Sequence, residues 1–262
     1  MERQRKKQIY ISHLCQDDEL CRLLQEYPVG IESIEFSIGD SLDRAMEAVE
    51  EYKKRIPQME KYPLLLHGPF LDLNPVSYDS QIAEVSKRRF CQTLQIAKEL
   101  HAKGVVFHTC FVPAINFLTG WPERQIDFWK EILEQQEREM EIYLENVFDP
   151  HWQPLLEIAQ GVNHERFGIC LDVGHVHAYS QQPVKEWIQN LGPYIKHVHL
   201  HDNHGKKDEH LALGKGSLDI IEILQMLERE TNVESFTLEN AEVVEVIQSL
   251  EILKKHLEGS LF

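Results

Sequence analysis

No Cys-x-x-Cys pair occurs anywhere in the 262 residues. The five cysteines (Cys15, Cys21, Cys91, Cys110 and Cys170) are scattered and odd in number, which argues against a disulfide framework or a cysteine-rich zinc site and for reduced thiols in the cytoplasm. Positive charge is scarce. Lys and Arg total 27 against 43 Asp and Glu, for a formal net charge of −16, whereas general nucleic-acid binders show a basic stripe. No apolar run approaches the roughly 18 residues a membrane span needs. The basic start MERQRKKQIYIS leads straight into a strand-like segment, without the apolar stretch or cleavage site of a secretory signal. Neither Gly-x-Gly-x-x-Gly after the first strand nor the phosphate-binding-loop signature is present, so a nucleotide-binding open sheet loses its main support. No low-complexity tract or Pro/Gly-rich linker interrupts the chain. One domain over residues 1–262 is expected.

What remains is regular. Eight short apolar or β-branched runs recur at intervals of one strand–helix unit: 8–14, 31–38, 62–68, 104–110, 141–147, 167–175, 195–202 and 235–241. Between several of them lie helix-periodic stretches with start signals, such as Asp79-Ser80 before Ile82, Val85, Phe90 and Leu94, or Pro122 before Ile126, Trp129 and Ile132. Alternation of strand and helix implies a parallel sheet with helical crossovers. Eight units at this length predict a closed α/β (β/α)8 (TIM) barrel.

Histidine is abundant, with 14 residues, and most of these fall at strand ends. Run three ends at His67, run four at His108, run five at Glu145, and run six at Asp172 with His175 just beyond; run seven carries His199 and run eight finishes at Glu239. The C-terminal mouth is where such barrels assemble their sites. Alternation turns His197, His199 and His201 to one face, and Thr237 and Glu239 likewise. Carboxylates clustered without basic partners repel one another. Divalent cations remove that cost, and a mixed His/carboxylate set suits zinc, manganese or iron. Asp208 and His210, in the loop after run seven, can turn toward the same cluster.

At this point HGPFLDLN, VVFHTC, LENV, CLDVGHVHAY, HVHLHDNHG, DEHLALGKG and TLEN, in this order, resemble the xylose isomerase-like barrel superfamily, and within it AP endonuclease family 2, the endonuclease IV type. The resemblance spans roughly Leu64 to Asn240. It implies two or three divalent metals per chain. One would be held by His67, His108 and Glu145, a second by Glu145, Asp172, His199 and Glu239, and a third by His175, Asp208 and His210. It further implies hydrolysis of a phosphodiester by a hydroxide bridging two metals, with Glu145, Glu239 and His175 at the reacting centre. Two departures stand out: Thr109 follows His108 where the family continues with Pro-Gly, and Phe70 replaces a tyrosine that wedges into DNA. With loops poor in basic residues, a small phosphoester is expected ahead of DNA as substrate. A superfamily branch that acts on the phosphodiester of cobamides supplies one such molecule.

The other reading within the superfamily is a sugar isomerase or epimerase. It would hold one metal on Glu145, Asp172, His199 and Glu239 and shuttle a proton between carboxylates. It leaves His67, His108, Asp208 and His210 without a task. Substrate contacts are expected from Glu35, turned into the barrel on one face with Ser33 and Ser37 while Ile34, Phe36 and Ile38 take the other, and from Phe70, His177 and His201. Lys215 is expected to contribute through Gly214-Lys215-Gly216, whose backbone N–H groups could cradle a phosphate. No membrane partner is expected.

Overall fold

The computed structural model describes residues 6–136 and 140–257. Most of the basic N-terminal run lies outside them. The element order is β1 (Gln8–Ser12), α1 (Asp17–Glu26), β2 (Gly30–Ser33), α2 (Gly39–Asp43), α3 (Ala45–Arg55), β3 (Leu64–His67), α4 (Ser80–Glu99), β4 (Gly104–His108) and α5 (Trp121–Gln135). It continues with β5 (Glu141–Glu145), α6 (Gln153–Val162), β6 (Phe167–Asp172), α7 (Val173–Tyr179), α8 (Val184–Leu191), β7 (Ile195–Leu200), α9 (Ile220–Glu230), β8 (Ser235–Leu238) and α10 (Val243–His256). All neighbouring strands pair in parallel, and β1 pairs with β8 as well as with β2, so the sheet closes into an eight-stranded barrel. The expected (β/α)8 fold is the observed one.

The strands are buried on both faces, which is why their sequences read as near-continuous apolar runs. The odd-even pattern then sorts the side chains. Ile9, Ile11, Leu64, Leu66, Val105, Phe107, Ile142 and Leu144 pack outward in the core shared with the helices. Tyr10, Leu65, Val106, Tyr143 and Cys170 fill the barrel interior. Trp129 of α5 is fully buried against Phe107 and Phe90. Burying each such side chain contributes about 1.5–3 kcal/mol. Helix α4 starts where Asp79 accepts hydrogen bonds from the Gln81 and Ile82 amides, as a side-chain cap should.

Above the interior apolar layer, the next inward positions lie at or beside the strand ends, and they are polar. Register places them side by side: His108 opposite Glu145, and Asp172 opposite His199. The β6–β7 register shifts at Ile169/Cys170. This irregularity lets Ile195 face the helices while His197 and His199 face inward.

Two expectations are corrected here. Strand β2 ends at Ser33, and its inward residue is Glu32, buried in the barrel. Glu35 lies beyond the strand, pairs with Arg55, and lines a groove with His13 and Asp17. The reason is phase: Ile31 packs outward, so inward pointing falls to the even positions. The Gly214–Gly216 segment is not an open phosphate cradle either. The amides of Gly214 and Gly216 both donate to Asp202 Oδ2, at 3.0 and 2.9 Å, so a carboxylate of the chain itself already takes the anion position.

Candidate metal centre

Glu145 sits at the middle of the mouth, 1% exposed, and each of its oxygens faces imidazoles. Oε2 is 3.2 Å from His67 Nε2 and 3.3 Å from His108 Nε2. Oε1 is 3.2 Å from His175 Nδ1 and 3.4 Å from His199 Nδ1. The same His199 Nδ1 lies 3.2 Å from Glu239 Oε1 and 3.7 Å from Asp172 Oδ2. One imidazole nitrogen thus faces three carboxylates, from the ends of β5 and β6 and from the residue that follows β8. Farther round the mouth, His175 Nε2 and His210 Nε2 converge on Asp208 Oδ2, at 3.3 and 2.7 Å. The nine expected ligand residues are therefore brought together, in three adjoining groups sharing Glu145 or His175.

Partners outside these groups fix ring orientation. His67 donates from Nδ1 to the Gly68 carbonyl, leaving Nε2 to face Glu145. His210 donates from Nδ1 to the Glu239 carbonyl at 2.6 Å. Phe70 stacks on His108 with ring centroids 4.6 Å apart and packs edge-on to His67. Hydrogen bonds from the far side of a ligating ring are the usual means of setting its tautomer.

The electrostatics are those of a cluster assembled for cations. Burial alone would push Glu145 and Asp172 up, but the surrounding histidines draw both well below the usual carboxylate range. Glu239 goes the other way: burial, with Asp172 and Glu145 beside it, outweighs the pull of His199. Burial opposes the charge on His199, yet the adjacent acidic groups raise it well above an ordinary histidine. Both His199 nitrogens, and Asp208 Oδ1, are buried without a hydrogen-bond partner. Buried polar groups are otherwise nearly always satisfied. Imidazole and carboxylate donors from His67, His108 and Glu145 lie within 4.8 Å of one another, as do those of Glu145, Asp172 and His175 and those of His175, Asp208 and His210. Orphaned nitrogens facing carboxylates at this spacing fit divalent metal ions.

The remaining sequence candidates separate. His201 is fully buried inside the centre; its Nε2 is 3.1 Å from Asp172 Oδ1 and its ring lies parallel to His210 at 4.2 Å. Phe70 lines the cavity above the metal groups. His177 turns to Ser217 in a separate groove, and Lys215 is exposed on the loop after β7.

One residue escaped the sequence reading. Glu32, wholly buried, places Oε1 at 3.0 Å from His199 Nε2, off the line of a regular hydrogen bond, while its Oε2 accepts from Thr237 Oγ1 and lies 3.2 Å from His197 Nε2. Burial works against this carboxylate, but His199 and His197 hold it far below its ordinary value. The signal was the Gly-Ile-Glu of residues 30–32, hidden by a second Ile-Glu three residues on.

A closed barrel whose mouth gathers imidazoles and carboxylates in metal-binding groups defines a class of metal-dependent barrel enzymes. Within it, the family model for xylose isomerase-like TIM barrels matches residues 22–256, and the chain belongs to that family. An uncharacterized protein of Methanocaldococcus jannaschii is 27% identical over 275 residues, covering 92% of this chain and 93% of its own. A probable endonuclease 4 of Mesomycoplasma hyopneumoniae is 26% identical over 190 residues, 65% of this chain and 67% of its own. Among solved structures, a D-tagatose 3-epimerase-like protein superposes with a TM-score of 0.74 at 26% identity, over 96% of this chain and 97% of its own.

Proposed function

We propose that the chain is a metal-dependent phosphoester hydrolase that holds two or three divalent cations, zinc by its donor chemistry, and acts on a small phosphodiester. The observation that carries this reading is Glu145, whose two oxygens face separate pairs of histidines. A single-cation site needs one such face. The cluster of His175, Asp208 and His210 supports a further site. Likeness to a probable endonuclease 4 supports the same chemistry.

When bound, such cations lower the pKa of water and offset charge growing on phosphate. Glu145 would set the spacing of two cation positions, with His67 and His108 on one and His199, Asp172 and Glu239 on the other. His175, Asp208 and His210 would hold a third, which would supply positive charge to offset the negative charge on the departing alcohol oxygen. Water adds to phosphorus, the bond from phosphorus to one alcohol oxygen breaks, and that alcohol leaves with a proton; the products are a phosphomonoester and an alcohol. The loops after β1, β3, β4, β5 and β8 carry no Lys or Arg, which favours a small molecule, of which a cobamide is one example, over DNA.

A second reading has its own observation. His199 Nδ1 faces Glu145, Asp172 and Glu239 together, the donor set for one cation in a sugar epimerase, and a D-tagatose 3-epimerase-like protein is among the structural neighbours. The test is elemental analysis of metal-replete protein, paired with assays on phosphodiesters, phosphomonoesters, abasic DNA and keto-sugars. Two or three equivalents with phosphodiester turnover, lost in Glu145→Gln while the fold is retained, is expected. One equivalent with keto-sugar epimerisation would replace the hydrolase by the epimerase.

A further inference from the structure

Apolar surface is distributed unevenly over the barrel. Among the described residues, every large hydrophobic side chain left exposed lies in a loop following a strand or in the first two turns of a helix on the way to the next strand, toward the mouth; Met46, at the start of α3 behind the short α2, is the farthest from its strand. None lies at the opposite end. The most exposed are Ile115 (73%), Phe117 (71%), Tyr78 (67%), Met46 (61%), Val244 (60%) and Leu71 (58%), of which Leu71, Tyr78, Ile115 and Phe117 fall on the β3–α4 and β4–α5 loops. The β4–α5 loop, residues 109–120, presents Ile115, Phe117 and Leu118 and has no charged residue at all. Scattered exposed hydrophobics are ordinary, but their confinement to one end marks a binding surface.

This surface meets the metal centre through the β3–α4 loop, where Phe70 lines the cavity and its chain neighbour Leu71 is exposed, and Tyr78 of the same loop donates to the Thr119 carbonyl of the β4–α5 loop. The cavity of about 270 Å³ over the centre has Leu14, Ile34 and Phe70 in its walls together with His67, His108 and Glu239. Leu14 also belongs to the exposed set. The rim and the floor of one opening therefore differ in chemistry: apolar above, anion-seeking once loaded with cations below. A polyanion would need free basic groups along the rim; the lysines at this end, Lys206, Lys207 and Lys215, are confined to the loop after β7, while Arg55 is paired with Glu35 and Asp17 and Arg124 lies over the Tyr78 ring and donates to the Val76 carbonyl. A permanent partner seated on the rim would close the metal cavity. A ligand that comes and goes would not.

We propose that the mouth binds a soluble phosphodiester carrying one bulky apolar substituent, which lies on the β3–α4 and β4–α5 loops while the phosphate reaches the metal groups. This deepens the hydrolase reading and rests on it. The test uses the metal-replete protein and two phosphodiesters with a common p-nitrophenyl leaving group, one bearing methyl and the other naphthylmethyl. The naphthylmethyl ester is expected to have a KM about tenfold lower, the effect of burying part of one aromatic group. The ratio of the two KM values is expected to fall toward one in the Ile115→Ser/Phe117→Ser variant. Direct binding of naphthylmethyl phosphonate, followed by its fluorescence, gives a readout independent of turnover. Hydrolysis of both esters with equal KM would overturn the apolar subsite and leave the hydrolase intact. Phosphonate binding that the double variant loses, without hydrolysis of either ester, would uphold the subsite and sink the hydrolase. Two further results would each overturn the proposal: dimers in sedimentation that the double variant dissolves, assigning the rim to a second copy, and binding to neutral phospholipid vesicles that the variant loses, assigning it to a membrane.

Discussion

Two buried carboxylates outside the nine donors show how single residues tune the centre. Glu32 stands on the far side of His199 from Glu145 and Glu239, so an ion on Nδ1 would leave Nε2–H to face Glu32. Such carboxylate–histidine partners typically change metal affinity by about 10–100-fold. Glu32→Gln is expected to weaken zinc binding by that factor in chelator competition, with the circular dichroism of the metal-free protein unchanged. Wild-type affinity in the variant would show that Glu32 is mere filling. Asp149 is different in kind. It accepts from Thr109 Oγ1 at 2.7 Å and from the Val147 amide at 3.0 Å, but burial wins and pushes its carboxyl up to about 6. An acid raised on folding stabilises the native state when protonated. That contribution is complete below about pH 4 and is lost as pH rises through 6, a difference of about 3 kcal/mol. Urea unfolding of metal-free protein at pH 4.5 and 7.5 should therefore show about 2 kcal/mol of this loss in the wild type, and a flatter profile in Asp149→Asn. Equal pH dependence in the two proteins would locate the charge penalty elsewhere.

Secondary structure was legible where period and position agreed. On β3, β4 and β5 the apolar run stops at His67, His108 and Glu145, and in each case that residue is both the last of the strand and inward-facing. The eight strands came out shorter than their runs because the chain turns as soon as the mouth is reached; residues 31–38 shrink to a strand ending at Ser33. There periodicity misled. Ser33, Glu35 and Ser37 alternate with apolar residues over the whole stretch, and only tertiary packing reveals that Ile31 faces the helices and Glu32 the interior. Helices α2, α3, α6 and α7 were not among those the sequence pattern indicated, and α7 takes up the end of the run 167–175. The β7 irregularity was also invisible: Ile195, His197 and His199 alternate cleanly in sequence, but Ile195 faces outward because one extra residue is absorbed between it and His197. The glycine before His175 has a reason that sequence could not disclose. A Cβ at Gly174 would lie 2.0 Å from the His201 ring, so the start of α7 stays bare to let that ring reach Asp172.

At the scale of the whole molecule, an acidic chain concentrates buried charge at one end of its barrel. Glu32, Glu145, Asp172 and Glu239 are all at most 6% exposed there, in a chain of net charge −16. Charges buried this deeply are poorly screened by salt, so histidine partners, together with the proposed cations, would keep the mouth from repelling itself open. The metal ions would then act on stability as well as chemistry. A cation bound at a thousand times its dissociation constant adds about 4 kcal/mol to folding, which for a chain of this size moves the melting temperature by about 10 °C. Stripping the protein with a chelator should lower Tm by at least that amount. Zinc should restore it in steps as successive sites fill, whereas half-molar sodium chloride should recover little. A melting temperature indifferent to chelator would mean that the histidines alone neutralise the rim, and the three-group arrangement would have to be explained without cations.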